Sequence, residues 1–172
     1  MTRFLIVFGL LWLVLASSLR AGADAPHVRR ADVVTLSQMC LGERSARDEH
    51  RDTCTAMIGV IHRRAAARGV RPATHARHYS AVFNGSRPWL LELNAHGTRP
   101  PSWPAASWTQ RRPQWLALMR HVEGVLMGDV DPVCEDAWHF GSVDDGRNVP
   151  ESWERVCPDL DDRQLFWGRH VP

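Results

Sequence analysis

The sequence predicts a mainly α single domain with long loops and two disulfides, with an α+β arrangement as the alternative. Three observations carry this. Two segments, near residues 49–68 and 113–128, place apolar side chains at i, i+3, i+4 and i+7 over several turns, the signature of packed helices. Between and after them, prolines, tryptophans and turn residues interrupt any period. The chain holds four cysteines, all after residue 39.

The N-terminus comes first. Arg3 precedes an unbroken apolar run of thirteen residues, Phe4 to Ala16, followed by small residues and A-x-A sites at Ala21-Gly22-Ala23 and Ala23-Asp24-Ala25. This order fits a secretory signal over residues 1–25. A membrane span needs roughly 20 apolar residues, so an uncleaved N-terminal anchor is the competing reading. Both place residues 26–172, one domain in size, outside the cytoplasm, in the periplasm or the extracellular space. In that remainder 19 arginines face 18 acids, a balance that argues against nucleic acid as partner. Contact with the membrane is expected only in passing or through the N-terminal segment, and a monomer is expected. There is no lysine, which reads as a compositional bias.

In an exported chain Cys40, Cys54, Cys134 and Cys157 read as two disulfides. Four cysteines allow three pairings. Cys40–Cys54 with Cys134–Cys157 is preferred because each pair closes a short loop. A zinc site competes, but no pair has C-x-x-C spacing.

Helical elements are expected from Asp32, read as a cap, to Gly42; from Glu49 to Arg68, stopped by Gly69; over Ala73–Phe83; and from Pro113 to Gly128. The second carries a stripe of Cys54, Met57, Ile58, Ile61 and Ala65. The last lines one face with Trp115, Leu118, Met119, Val122, Val125 and Leu126. Residues 87–113 hold five prolines and three tryptophans and read mostly as loop. After Asp131-Pro132 no strong period of either kind appears.

The chemistry centres on Leu41-Gly42-Glu43-Arg44, at the seam between the first two helices. Half-burial of a carboxyl group disfavours its ionised form and suits it to act as a general acid. The competing reading is a solvated helix-end glutamate paired with Arg44 or Arg47. His75 and His78 have an i, i+3 spacing that suits a metal, but a zinc enzyme needs a third ligand and no H-E-x-x-H occurs. No cofactor or metal is expected.

Several blocks in order resemble the bacterial and phage cell-wall hydrolase family that includes the spore cortex-lytic enzymes. Gly42-Glu43-Arg44-Ser45 is similar to its Gly-Glu-Ala-Arg turn, and Ile58-Gly59-Val60-Ile61-His62-Arg63-Arg64 to the helix that follows. Arg77-His78-Tyr79-Ser80-Ala81-Val82-Phe83 matches a Gln-Phe-Ser-like turn, and Val125–Pro132 a helix ending in Gly-Asp-Pro. Ala137-Trp138-His139-Phe140, Trp153 and Leu165–His170 are similar to the closing block. The chain departs from the pattern at Arg44-Ser45, at His62, where asparagine is usual, and in the final block. The resemblance implies a lysozyme-like, lytic-transglycosylase-like fold and peptidoglycan glycan strands as partner. It implies cleavage between N-acetylmuramic acid and N-acetylglucosamine, with Glu43 as the single catalytic acid and 1,6-anhydromuramic ends as product. Ordinary glycosidases need a second carboxyl group, and none stands at an obvious partnering position. The resemblance places Tyr79 by the cleft, against the sugar N-acetyl group or Glu43; a partly buried aromatic with a satisfied hydroxyl is the competing reading. For His139 and Phe140, weighed in the same way, structural packing is the preferred reading. Trp103, with Trp89 and Trp108, offers an indole face to a sugar or pins the loop. The alternatives are a hydrolytic muramidase of the same fold and a non-catalytic glycan-binding structural protein.

Overall fold

The computed structural model describes residues 28–43, 48–84, 87–142, 149–160 and 164–169. The export segment expected over residues 1–25 lies outside them, as do Arg44, Ser45, Arg47 and His170. Helix α1 (Arg30–Glu43) starts two residues before Asp32. Asp32 is therefore not its cap. It sits in the first turn and accepts a hydrogen bond from Arg71 at 2.9 Å, tying α1 to the start of α3 (Pro72–Tyr79). After a 3₁₀ turn at Asp48–His50, α2 (Arg51–Ala67) runs as its periodicity demands. All five residues of the expected stripe are buried. Gly69, with φ +64°, reverses the chain while Val70 N–H bonds the carbonyl of Ala65, as a left-handed C-terminal residue should.

Two expectations are corrected downstream. Residues 87–113 are loop over only about half their length: a short helix α4 (Pro88–Leu91) opens them, and α5 (Ala105–Met127) begins eight residues before Pro113. A proline inside a helix removes one backbone hydrogen bond and disturbs the preceding turn. Here Pro113 is exposed, and tertiary bonds hold the turns around it. Trp108 Nε1 and Arg112 Nε both donate to the carbonyl of Gly97, at 3.3 and 2.9 Å, and Trp115 Nε1 donates to that of Asn94 at 2.9 Å.

The C-terminal part is not irregular. Strands β1 (Ala137–Ser142), β2 (Trp153–Val156) and β3 (Gln164–Arg169) form an antiparallel sheet in the order β1-β3-β2, with a register shift between Ala137 and His139. The domain is thus helical with a small sheet. Two consecutive arginines of α2 dock that sheet: Arg63 donates to the carbonyls of Ala137 and Cys134, and Arg64 to that of Trp138 at 3.0 Å. Phe140 and Phe166 add the sheet's inner face to a core made by α1, α2 and α5, with Leu36, Met57, Ile61, Trp115 and Leu118 at its centre.

The disulfides are Cys40–Cys54, joining the last turn of α1 to the first of α2, and Cys134–Cys157, bracketing β1 and β2. Both agree with an oxidising compartment. No helix among the described residues is long and apolar enough to cross a membrane.

Candidate functional site

Glu43 is the last residue of α1, and its position depends on the glycine before it. A Cβ on Gly42 would lie 2.5 and 2.6 Å from the two Val82 methyl groups and 2.8 Å from Leu90 Cδ1. Only hydrogen fits, so the end of α1 presses onto the 3₁₀ turn at Ala81–Phe83 and onto α4. The Gly42 carbonyl, left without an intrahelical partner at the helix end, accepts a hydrogen bond from Arg87 Nη1 at 2.6 Å. This sets a guanidinium at the negative end of α1, where the helix dipole favours a cation.

The Glu43 side chain is partly buried. Its Oε1 accepts a hydrogen bond from Ser80 Oγ. Ser80 is buried and caps α3, its own N–H bonding the carbonyl of Ala76 at 2.9 Å. The serine oxygen also accepts from Val82 N–H at 3.3 Å, which fixes the hydroxyl in place. Ser80 lies inside the block matched in the sequence, yet sequence reasoning did not single it out. The available signal was a serine immediately after a helix, where short polar side chains bond locally. Arg87 carried no such signal. It comes to the site only because Pro88 starts α4 there.

Tyr79 and Ser80 are consecutive and diverge, Ser80 toward the end of α1 and Tyr79 toward β1. The tyrosine hydroxyl meets Phe140 N–H at 3.1 Å, the Phe140 carbonyl at 3.2 Å and His139 Nδ1 at 2.5 Å. A phenol donates once and accepts twice. All three bonds are satisfied together when the tyrosine donates to the carbonyl and His139 carries its proton on Nδ1. The Tyr79 hydroxyl thereby ties α3 to the sheet, which agrees with the reading of a partly buried aromatic with a satisfied hydroxyl. His139 stacks edge-on with Tyr79 and lies beside Trp153 and Trp167, while Arg64 covers the Tyr79 ring at 4.7 Å. Glu43, Tyr79 and His139 thus gather around the end of α3. Trp103 belongs to another group: it packs on Trp89 and Trp108 at a surface cleft, on the far side of α4 from Glu43 in the chain.

Glu49 and Asp52 are exposed, with Glu49 Oε1 3.4 Å from His50 Nε2. Among the described residues no three His, Cys, Asp or Glu side chains gather as a metal site. His75, considered as a ligand, is buried in α3 beside Tyr79. Burial holds its pKa below the ordinary value, and Arg68, Arg64 and His78 add to this by repulsion. The unfolded chain therefore binds this proton more readily than the folded one. Stability is complete above the ordinary histidine pKa, near 6.5, and is lost as pH falls from there toward the depressed folded value. Melting curves taken as the pH falls from neutral through the ordinary histidine value should show this decline, and His75→Leu should flatten it. An unchanged slope would show that His75 is not the group responsible.

No protein-family model, curated protein or solved structure matches this chain.

Proposed function

We propose that this protein cleaves the glycan strands of peptidoglycan between N-acetylmuramic acid and N-acetylglucosamine, by the lytic transglycosylase route, with Glu43 as general acid and then base. The lysozyme-like reading of the fold rests on the sequence resemblance around Gly42-Glu43 and the blocks that follow it. One observation carries the reading: Glu43 stands on a glycine-tight helix end, partly buried, with its carboxyl group on a fixed serine hydroxyl.

An acid that becomes a base needs a neighbour suited to both of its states. A hydroxyl is such a neighbour, since it accepts from a carboxylic acid and donates to a carboxylate. In the first step the Glu43 proton passes to the glycosidic oxygen, and the bond from that oxygen to C1 of the muramic acid breaks. The carboxylate then takes the proton from the sugar's own 6-hydroxyl while O6 bonds to C1, closing the anhydro ring. The acid ends the cycle protonated and no water is consumed. Because the substrate supplies the nucleophile, positioning replaces the second carboxyl group. Glu49 and Asp52, both exposed, agree with a single-acid scheme. Tyr79 and His139 act in this reading as positioning residues: the bonds of the Tyr79 hydroxyl to His139 and Phe140 of β1 hold the end of α3 and hence Ser80.

Ser80→Ala tests the arrangement. A hydrogen bond to a charged group contributes about 1.5–3 kcal/mol, so kcat should fall about 10- to 100-fold. The pH profile of kcat should move with it, and KM should change little. A loss confined to thermal stability, with kcat and its pH profile intact, would remove Ser80 from the mechanism.

A further inference from the structure

The segment between α4 and α5 builds a second concave site that the catalytic arrangement does not use. It is an open, shallow cleft of about 490 Å³, lined by Pro88, Trp89, Glu92, Trp103, Ser107 and Arg111, among others. That volume lies within the range of small-ligand sites. Trp89 and Trp103 are partly exposed, with ring centroids 5.0 Å apart and planes at 57°. Behind them Trp108 is buried, edge-on to Trp103 at 5.6 Å and anchored by its bond to the Gly97 carbonyl. The indoles are therefore a braced platform.

Two opposite charges flank this platform. Glu92 uses Oε2 to accept from the Ser102 N–H and hydroxyl, at 3.0 and 2.8 Å. Its Oε1 has no hydrogen-bond partner among the described residues. The Arg111 guanidinium lies 5.3 Å from the Trp103 ring centroid and makes no hydrogen bond among the described residues. The site thus offers aromatic faces, an acceptor and a multiple donor.

We propose that this cleft is a saccharide subsite that takes an N-acetylated hexosamine ring of a glycan strand; the ligand class rests on the function proposed for Glu43. A wholly apolar ligand would strip water from Glu92 and Arg111 without replacing its hydrogen bonds, which is costly. A quaternary ammonium group would suit the indoles and the carboxylate, but it meets the Arg111 charge on the same ring. A pyranose satisfies every group. Its C–H face packs on an indole, its hydroxyl and amide N–H groups donate to Glu92, and its oxygens accept from Arg111.

The placement favours a polymer over a single sugar. Helix α4 is four residues long and serves both sites. At its start Arg87 bonds the Gly42 carbonyl and Leu90 packs against Gly42, while Pro88, Trp89 and Glu92 line the cleft. A strand held at Trp89 and Trp103 is thereby registered against the end of α1.

The test uses protein produced from the full-length sequence and carrying Glu43→Gln, so that ligand is not consumed, titrated calorimetrically with chitotetraose. Saturable binding is expected, weakened about tenfold by Trp89→Ala and by Arg111→Ala, the loss of one stacking face or one charged donor. Both positions lie at the rim, and circular dichroism will confirm that the variants fold. Absence of saturable binding, or affinity unchanged from Glu43→Gln in both variants, would overturn the subsite. Sacculus digestion separates this from the catalytic reading. If Glu43→Gln still cleaves sacculi while the two cleft variants lose binding, the subsite stands and the role of Glu43 falls. If Glu43→Gln is inactive while chitotetraose affinity ignores the cleft, the reverse holds.

Discussion

Replacing Glu43 by glutamine should reduce sacculus digestion by about 10²–10⁴-fold, the usual contribution of general acid–base catalysis, while the melting temperature stays close to that of the parent. Glutamine keeps the length and the planar group of glutamate, and its amide oxygen can still accept from Ser80 Oγ, the bond that Glu43 Oε1 receives. It cannot release a proton to a leaving oxygen. The substitution therefore separates position from chemistry. A folded variant that digests sacculi at the parental rate would show that Glu43 is not the acid. A non-catalytic glycan-binding protein would keep its affinity through the same change.

Removing the Cys40–Cys54 disulfide with paired alanines should cost about 3 kcal/mol, the chain-entropy value for a closed loop of roughly 15 residues. The two cysteines are 14 apart in sequence, with Cα atoms 5.4 Å apart, and both are buried. Two consequences should be visible. The urea midpoint should fall without a large change in the slope of the transition. Activity should fall further than stability alone dictates, because the bridged loop contains Glu43 and α1 otherwise packs more on α3 and α5 than on α2. Denaturation and sacculus digestion on the same preparation, well below the melting transition, check both. A stability loss under about 1 kcal/mol, far below the loop-entropy value, would mean that packing already fixes the loop.

Much of the helical part was legible because its signals are local. The α2 stripe repeats at helical spacing, and Gly69 supplies the left-handed residue that ends the helix. Pro113 misled for a physical reason. Proline suits the first turn of a helix, so the start of α5 was placed there, whereas the true first turns are held by bonds from Trp108 and Arg112 to Gly97, across the fold. The strands were illegible for a related reason. They are four to six residues long, and long-range contacts hold them: the Arg63 and Arg64 bonds to β1 and the Cys134–Cys157 bridge. None of these leaves a period in the sequence.

The site divides in the same way. Glu43 stood out mainly through the resemblance of its Gly42-Glu43 turn to the cell-wall hydrolases, since a lone glutamate where two helices meet is a weak signal by itself. Its partners did not, since Ser80 is 37 residues away and Arg87 reaches Gly42 across 45. Tyr79 and His139 were named, but the bond between them and the hydroxyl's anchorage on β1 depend on a strand that sequence patterning did not show. Trp103 was named for its indole. Glu92 and Arg111, which give the cleft its charges, look in the sequence like ordinary surface residues.

The most direct measurement is the mass of the soluble products released from purified sacculi. Muropeptides ending in 1,6-anhydromuramic acid, lighter by one water than hydrolysed ends and absent with Glu43→Gln, are the predicted result. Reducing ends would make the protein a hydrolytic muramidase, and intact strands after digestion by the folded parent protein would contradict glycan cleavage altogether.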